Sequence, residues 1–145
     1  MPAFSRSSRS RLDTCDPALR SLFVEVVKRS DCTVLEGARS DARQRELYRQ
    51  GKSKLDGVSK RSKHQPLNDG LSRAVDVAPY PIDWRVQRED VAKRWLDFAR
   101  IVFGVADELG VRLRWGGDWG GDWDRKSDPR SDQRFNDWPH WELDE

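Results

Sequence analysis

The chain has 145 residues, 36% charged and 36% hydrophobic, with 7 Trp, 5 Phe and 2 Tyr. That length suits one domain, the aromatic content excludes disorder throughout, and no stretch is apolar for long enough to insert stably in a membrane. The net charge of +2 hides an asymmetry, because residues 1–75 hold 16 Lys/Arg against 9 Asp/Glu and residues 76–145 hold 11 against 16. A basic half is ordinarily solvated surface, and it can also be drawn to a polyanion such as a cell wall or a nucleic acid.

Residues 1–13 are Ser/Arg-rich without an apolar run, which predicts a flexible arm rather than a signal peptide, ahead of a single domain over 14–145. Asp16-Pro17 pairs an N-cap with a first-turn proline, and Leu19, Leu22, Phe23, Val26 and Val27 then repeat at helical spacing. Thr33-Val34-Leu35 reads as a short strand. Ser40 caps a second helix to about Gln50, which Gly51 ends, and residues 52–63 form a polar loop.

Ala74-Val75-Asp76-Val77-Ala78 reads as a strand with one carboxylate in it, which must be paired or bind a metal because burying it bare is costly. A long helix spans about Arg88 to Leu109, with Val91, Trp95, Phe98, Val102, Val105 and Leu109 on one face. Val111 to Trp115 alternates as a half-buried strand. Gly116 to Phe135 reads as a long loop containing a tandem Gly-Gly-Asp-Trp, and Trp138 to Leu143 is extended again. The irregular crossovers predict an α+β fold, a small antiparallel sheet backed by helices. Cys15 and Cys32 read as free thiols, with a single bridge between them as the alternative.

The only two histidines, His64 and His140, fall in Ser62-Lys63-His64 and Asp137-Trp138-Pro139-His140, with Asp76 between them. Two imidazoles and a carboxylate are a three-ligand set for Zn²⁺ that leaves a fourth position for water. Asp69 is the weaker rival of Asp76, because Asp76 lies within a strand.

The chain resembles the zinc peptidases of the D-Ala-D-Ala carboxypeptidase/VanY group, and most of all phage endolysins that act as L-alanyl-D-glutamate endopeptidases. The resemblance is carried by Glu36-Gly37-Ala38-Arg39-Ser40, Arg43-Gln44, Leu47-Tyr48, Gly51-Lys52-Ser53, Ser62-Lys63-His64, Ala74-Val75-Asp76, Trp115-Gly116-Gly117-Asp118-Trp119 and Asp137-Trp138-Pro139-His140-Trp141-Glu142-Leu143, in the family's order. One departure is the gap of twelve from His64 to Asp76, where the common family pattern has seven. It reads as a longer turn.

The resemblance implies a Hedgehog/DD-peptidase-like zinc peptidase fold. It implies one Zn²⁺ per chain held by His64, Asp76 and His140, with Asp137 as catalytic carboxylate and Arg39 steadying the oxyanion. Ser62 and Gln44 would line or support the substrate site, and Glu142 is the alternative base or an orienting partner of a ligand. Asp118 would order the Gly-rich loop, and some Trp rings would floor the groove.

The implied substrate is the peptidoglycan stem peptide, cut between L-Ala and D-Glu by a monomer. The enzyme would be made in the host cytoplasm and released to the periplasmic wall through a holin. The alternatives are a D,D- or L,D-carboxypeptidase and a non-catalytic zinc-stabilised wall-binding module. A nucleic-acid partner is not expected, since the basic residues do not interleave with the Trp cluster.

Overall fold

The start of the chain departs from the expected arm. In the computed structural model, which describes residues 2–129 and 136–144, Ser5 Oγ accepts a hydrogen bond from the Ser8 amide and caps a helix, α1 (Arg6–Leu12). It has no apolar stripe, so hydrophobic periodicity could not reveal it. Its anchorage is polar. Ser8 Oγ accepts from the Val34 amide (3.1 Å) and Arg11 donates to the Val34 carbonyl (3.0 Å), while Leu12 is buried.

Asp16 accepts from the Ala18 amide (2.8 Å) and starts α2 (Pro17–Arg29), whose five predicted stripe residues are all buried. There follow β1 (Cys32–Glu36), α3 (Asp41–Arg49), capped by Ser40, and β2 (Ala74–Pro79). Next come α4 (Glu89–Leu109), closed by Gly110 in the left-handed conformation, β3 (Leu113–Trp115) and β4 (His140–Leu143). Leu109, expected on the buried stripe of α4, is 48% exposed because the helix end runs past the core. Residues 130–135 of the expected long loop lie outside the described residues.

The four strands form one antiparallel sheet in the order β1-β2-β4-β3. β1 is therefore an edge, and the two bonds from α1 to Val34 satisfy backbone groups that would otherwise invite strand pairing. Val34, Val75, Val77 and Trp141 point to the face covered by α2 and α4, where Trp141 meets Phe23 and Phe103. Alternation then turns Asp76, His140 and Glu142 to the opposite face.

Glu36 joins them through a bulge. Val34 pairs with Val77, but Glu36, not Leu35, opposes Asp76. In a regular ladder Glu36 would oppose Val75 and face the core, so the extra residue re-aims it. Cys15 and Cys32 are free and buried, as the sequence reading favoured. Burial pushes their thiols up to about 11 and about 12.

Candidate metal centre and its groove

Asp76 and His140 are direct cross-strand partners on β2 and β4, which fixes their side chains next to each other. His64 arrives from a loop. The Ser62 hydroxyl accepts from the His64 amide (3.1 Å), and the Gln65 side chain accepts from the Ser62 amide (2.7 Å). The loop is tied inward by Gln65, which donates to Asp41 (2.8 Å) and to the Gly57 carbonyl (3.1 Å).

His64 Nε2 lies 3.1 Å from Asp76 Oδ1 and 3.2 Å from His140 Nδ1, and the third side, His140 Nδ1 to Asp76 Oδ1, is 3.3 Å. A tetrahedral ion with bonds of about 2.0–2.1 Å separates its ligand atoms by roughly 3.3–3.4 Å, so this triangle can hold a metal ion. His64, Asp76 and His140 are also the one such group among the described residues.

The far ring nitrogens explain which atoms face the centre. His64 Nδ1 is 2.8 Å from the Gly37 carbonyl, an acceptor only, so that nitrogen carries the proton and Nε2 offers its lone pair. His140 Nε2 is 2.9 Å from Glu142 Oε1, which leaves Nδ1 for the centre in the neutral ring. Glu142 is itself held by Lys63 at 3.3 Å. Gly37 must be glycine: a Cβ there would lie 2.3 Å from both the Arg11 carbonyl and the Thr14 hydroxyl.

The charges are strongly coupled. Burial works against charge on Asp76, but its bonds to His140 and His64 outweigh this and hold its carboxyl well below the usual range. Burial likewise disfavours the His140 imidazolium, yet Asp76 and Glu142 prevail and push it up to about 9 in the metal-free protein. Burial opposes ionisation of Glu142 too, and the bond to His140 lowers it nonetheless. Asp137 moves the other way: burial first, then the charge of Asp76, raises its carboxyl.

Asp137 is placed by Gly116. The Asp137 amide donates to the Gly116 carbonyl (2.9 Å), the Gly116 amide donates to the His140 carbonyl (2.9 Å), and a Cβ at Gly116 would come within 2.0 Å of the Asp137 carbonyl. The carboxylate lines a groove of about 590 Å³ together with the three cluster residues, Arg39, Ser62, Glu142 and Trp119. That volume is in the usual range for ligand sites.

Other candidates sort clearly. Asp69 is exposed and bonded to Arg73 at 2.8 Å, away from the cluster. Arg39 makes a two-pronged ion pair with Glu36 (2.8 and 3.0 Å) and donates to Gln44 (2.7 Å). Gln44 does not line the groove, so direct contact with substrate does not fit: it is fully buried, and its amide also donates to Ser53 and to the Leu55 carbonyl. Asp118 accepts from the amides of Asp122 and Trp123 and orders the Gly-rich loop, as expected. Of the Trp cluster, residues 115, 138 and 141 are core, and Trp119 reaches the groove with its ring 5.3 Å from that of His140. The sequence reading missed the Gly37 carbonyl, Gln65 and Lys63. A buried Gln three residues after a site Ser is a signal only once the turn is known.

A small antiparallel sheet with two imidazoles and a carboxylate on its open face, above a peptide-sized groove, defines a metallohydrolase type of site. The comparisons narrow this. A family model, the phage L-alanyl-D-glutamate peptidase, matches residues 2–144, and the chain belongs to that family. Among solved structures, the L-Ala D-Glu endopeptidase ChiX of Serratia marcescens is 28% identical with a TM-score of 0.68, the match covering 98% of this chain and 90% of that one. No curated protein matches. Among the described residues no helix is long and apolar enough to cross a membrane.

Proposed function

We propose that this chain is a zinc-dependent endopeptidase that hydrolyses the L-Ala–D-Glu bond of peptidoglycan stem peptides, serving as a phage endolysin. Family membership and the similarity to ChiX support the reaction. The observation that carries the metal is the triangle of donor atoms with sides of 3.1, 3.2 and 3.3 Å. His64, Asp76 and His140 would hold Zn²⁺, which when bound lowers the pKa of water and polarises the scissile carbonyl.

The chain's own residues supply the rest. Asp137, on the groove wall beside the cluster, accepts the proton of the attacking water and passes it to the leaving amine. Glu142 is already bonded to His140 and Lys63, which favours orienting the ligand over acting as the base. Arg39, held by Glu36 and Gln44, keeps a cation at the groove to steady developing negative charge. Ser62 positions His64, and Gln44 positions Arg39. The protein acts as a monomer and reaches the periplasmic wall after release by a partner that opens the inner membrane.

The test is digestion of purified Gram-negative peptidoglycan with chelator and zinc add-back, read by mass spectrometry. The expected products are fragments ending in the L-Ala carboxylate and fragments with a free D-Glu amine, lost with chelator and restored by zinc. Release of terminal D-Ala instead would make it a carboxypeptidase. One zinc bound without any cleavage would make it a binding module.

A further inference from the structure

The groove has more cations than the chemistry above uses. Three of them have partners: Arg39 with Glu36, Lys63 with Glu142, and Arg61 with Asp41 at 3.5 Å. Arg43, Lys52 and Lys54 also line the groove, and among the described residues the ion pairs of groove cations are those of Arg39, Arg61 and Lys63 and include none of these three. Unpaired like charges on one wall repel one another, so a groove that gathers them suits an anionic occupant.

This wall is anchored. The Gly51 amide bonds to Tyr48 (3.0 Å) and the Lys52 amide to Leu47 (2.9 Å), closing α3 with Gly51 at φ 73°. Ser53 and the Leu55 carbonyl are then held by the buried Gln44 amide at 2.9 and 2.6 Å. Lys52 and Lys54 flank the fixed Ser53, and Arg43 stands beside Gln44 on α3. The same Gln44 holds Arg39, so the wall and the centre share one brace.

Resting on the endopeptidase reading, we infer that Arg43, Lys52 and Lys54 form a carboxylate-recognition wall that selects substrates by free acid groups beside the cut. A glutamyl residue has two carboxyl groups, and only one can continue the chain. The other stays anionic within a few bonds of the scissile nitrogen, where a cationic wall in the same groove can meet it.

The test compares a synthetic stem peptide bearing the free glutamyl carboxylate with its carboxamide twin, using the zinc-loaded full chain. Wild type should cut the acid about tenfold better in kcat/KM, mostly through KM, as one or two partly exposed ion pairs allow. In Lys52→Gln/Lys54→Gln and in Arg43→Gln the acid-to-amide ratio should fall toward one. Arg9→Gln/Lys28→Gln, which removes charge away from the groove, should keep it. Equal use of the two peptides by wild type, or an unchanged ratio in the wall variants, overturns the inference. If wild type cuts neither peptide, the endopeptidase reading fails, and calorimetric binding of the same pair decides the wall. Tighter binding of the acid, lost in the wall variants, sustains it, and equal binding overturns it.

Discussion

At the scale of single residues, two carboxylates near His140 have different surroundings and predict different phenotypes. Asp137→Ala should still bind one zinc per chain while kcat falls about 10²–10⁴-fold, the usual reach of general acid–base catalysis. Glu142→Gln should weaken zinc binding about 10–100-fold, because it loosens the ring of a ligand. Metal titration and a cleavage assay on both variants check this, and a Glu142→Gln protein with full zinc affinity and no activity would exchange the roles.

The histidine itself sets a pH dependence. In the metal-free protein His140 holds a proton up to about 9, so zinc must displace it, and apparent affinity should drop about tenfold per pH unit below that value. The sign for stability is opposite. A folded-state pKa above the ordinary 6.5 stabilises the metal-free protein fully below 6.5, and this contribution is lost as pH rises through 9. Proton release on zinc binding and melting of the metal-free protein between pH 6 and 9 measure the two effects. Both imidazoles were candidates in the sequence because so few histidines offered a choice, Asp76 because its carboxylate lies in a short apolar run, and Asp137 only through the resemblance to the family. The Gly37 carbonyl was not, since a backbone acceptor leaves no mark in residue type.

At the scale of elements, α2, α3 and α4 could be read from caps and apolar stripes, and β2 from a short apolar run. α1 could not, because its two hydrogen bonds to Val34 are polar contacts that no periodicity announces. Its packing makes Gly37 a joint between α1 and His64 of the candidate metal centre. Gly37→Ala must move the Arg11 backbone or the Thr14 side chain, so it should destabilise the protein by about 1–3 kcal/mol, as overpacking commonly does. Zinc affinity should fall with it, because the Gly37 carbonyl shifts with its residue. Urea unfolding together with zinc titration checks both, and a variant of unchanged stability would show that α1 yields freely.

At the scale of the whole molecule, the three donor residues come from a loop and from two neighbouring strands, 12 and 76 positions from the first ligand to the others. Zinc held there only in the folded state, as proposed, would tie these parts together. The melting temperature should therefore climb with free zinc, by about 4 kcal/mol of stabilisation at a thousandfold excess over Kd. A melting temperature indifferent to zinc would mean the site is not closed in solution. The strand order that makes this convergence possible was beyond sequence reading: pattern gave strands, but nothing local states that β4 inserts between β2 and β3.

The bulge in β1 has a consequence for how such a centre persists. One surplus residue decides whether Glu36 meets Asp76 above the sheet or a valine beneath it. A slip of that strand by a single position would drive an ionisable group among apolar side chains. The result would be a chain that fails to fold rather than an enzyme that works poorly, so proofreading of the site is built into folding itself.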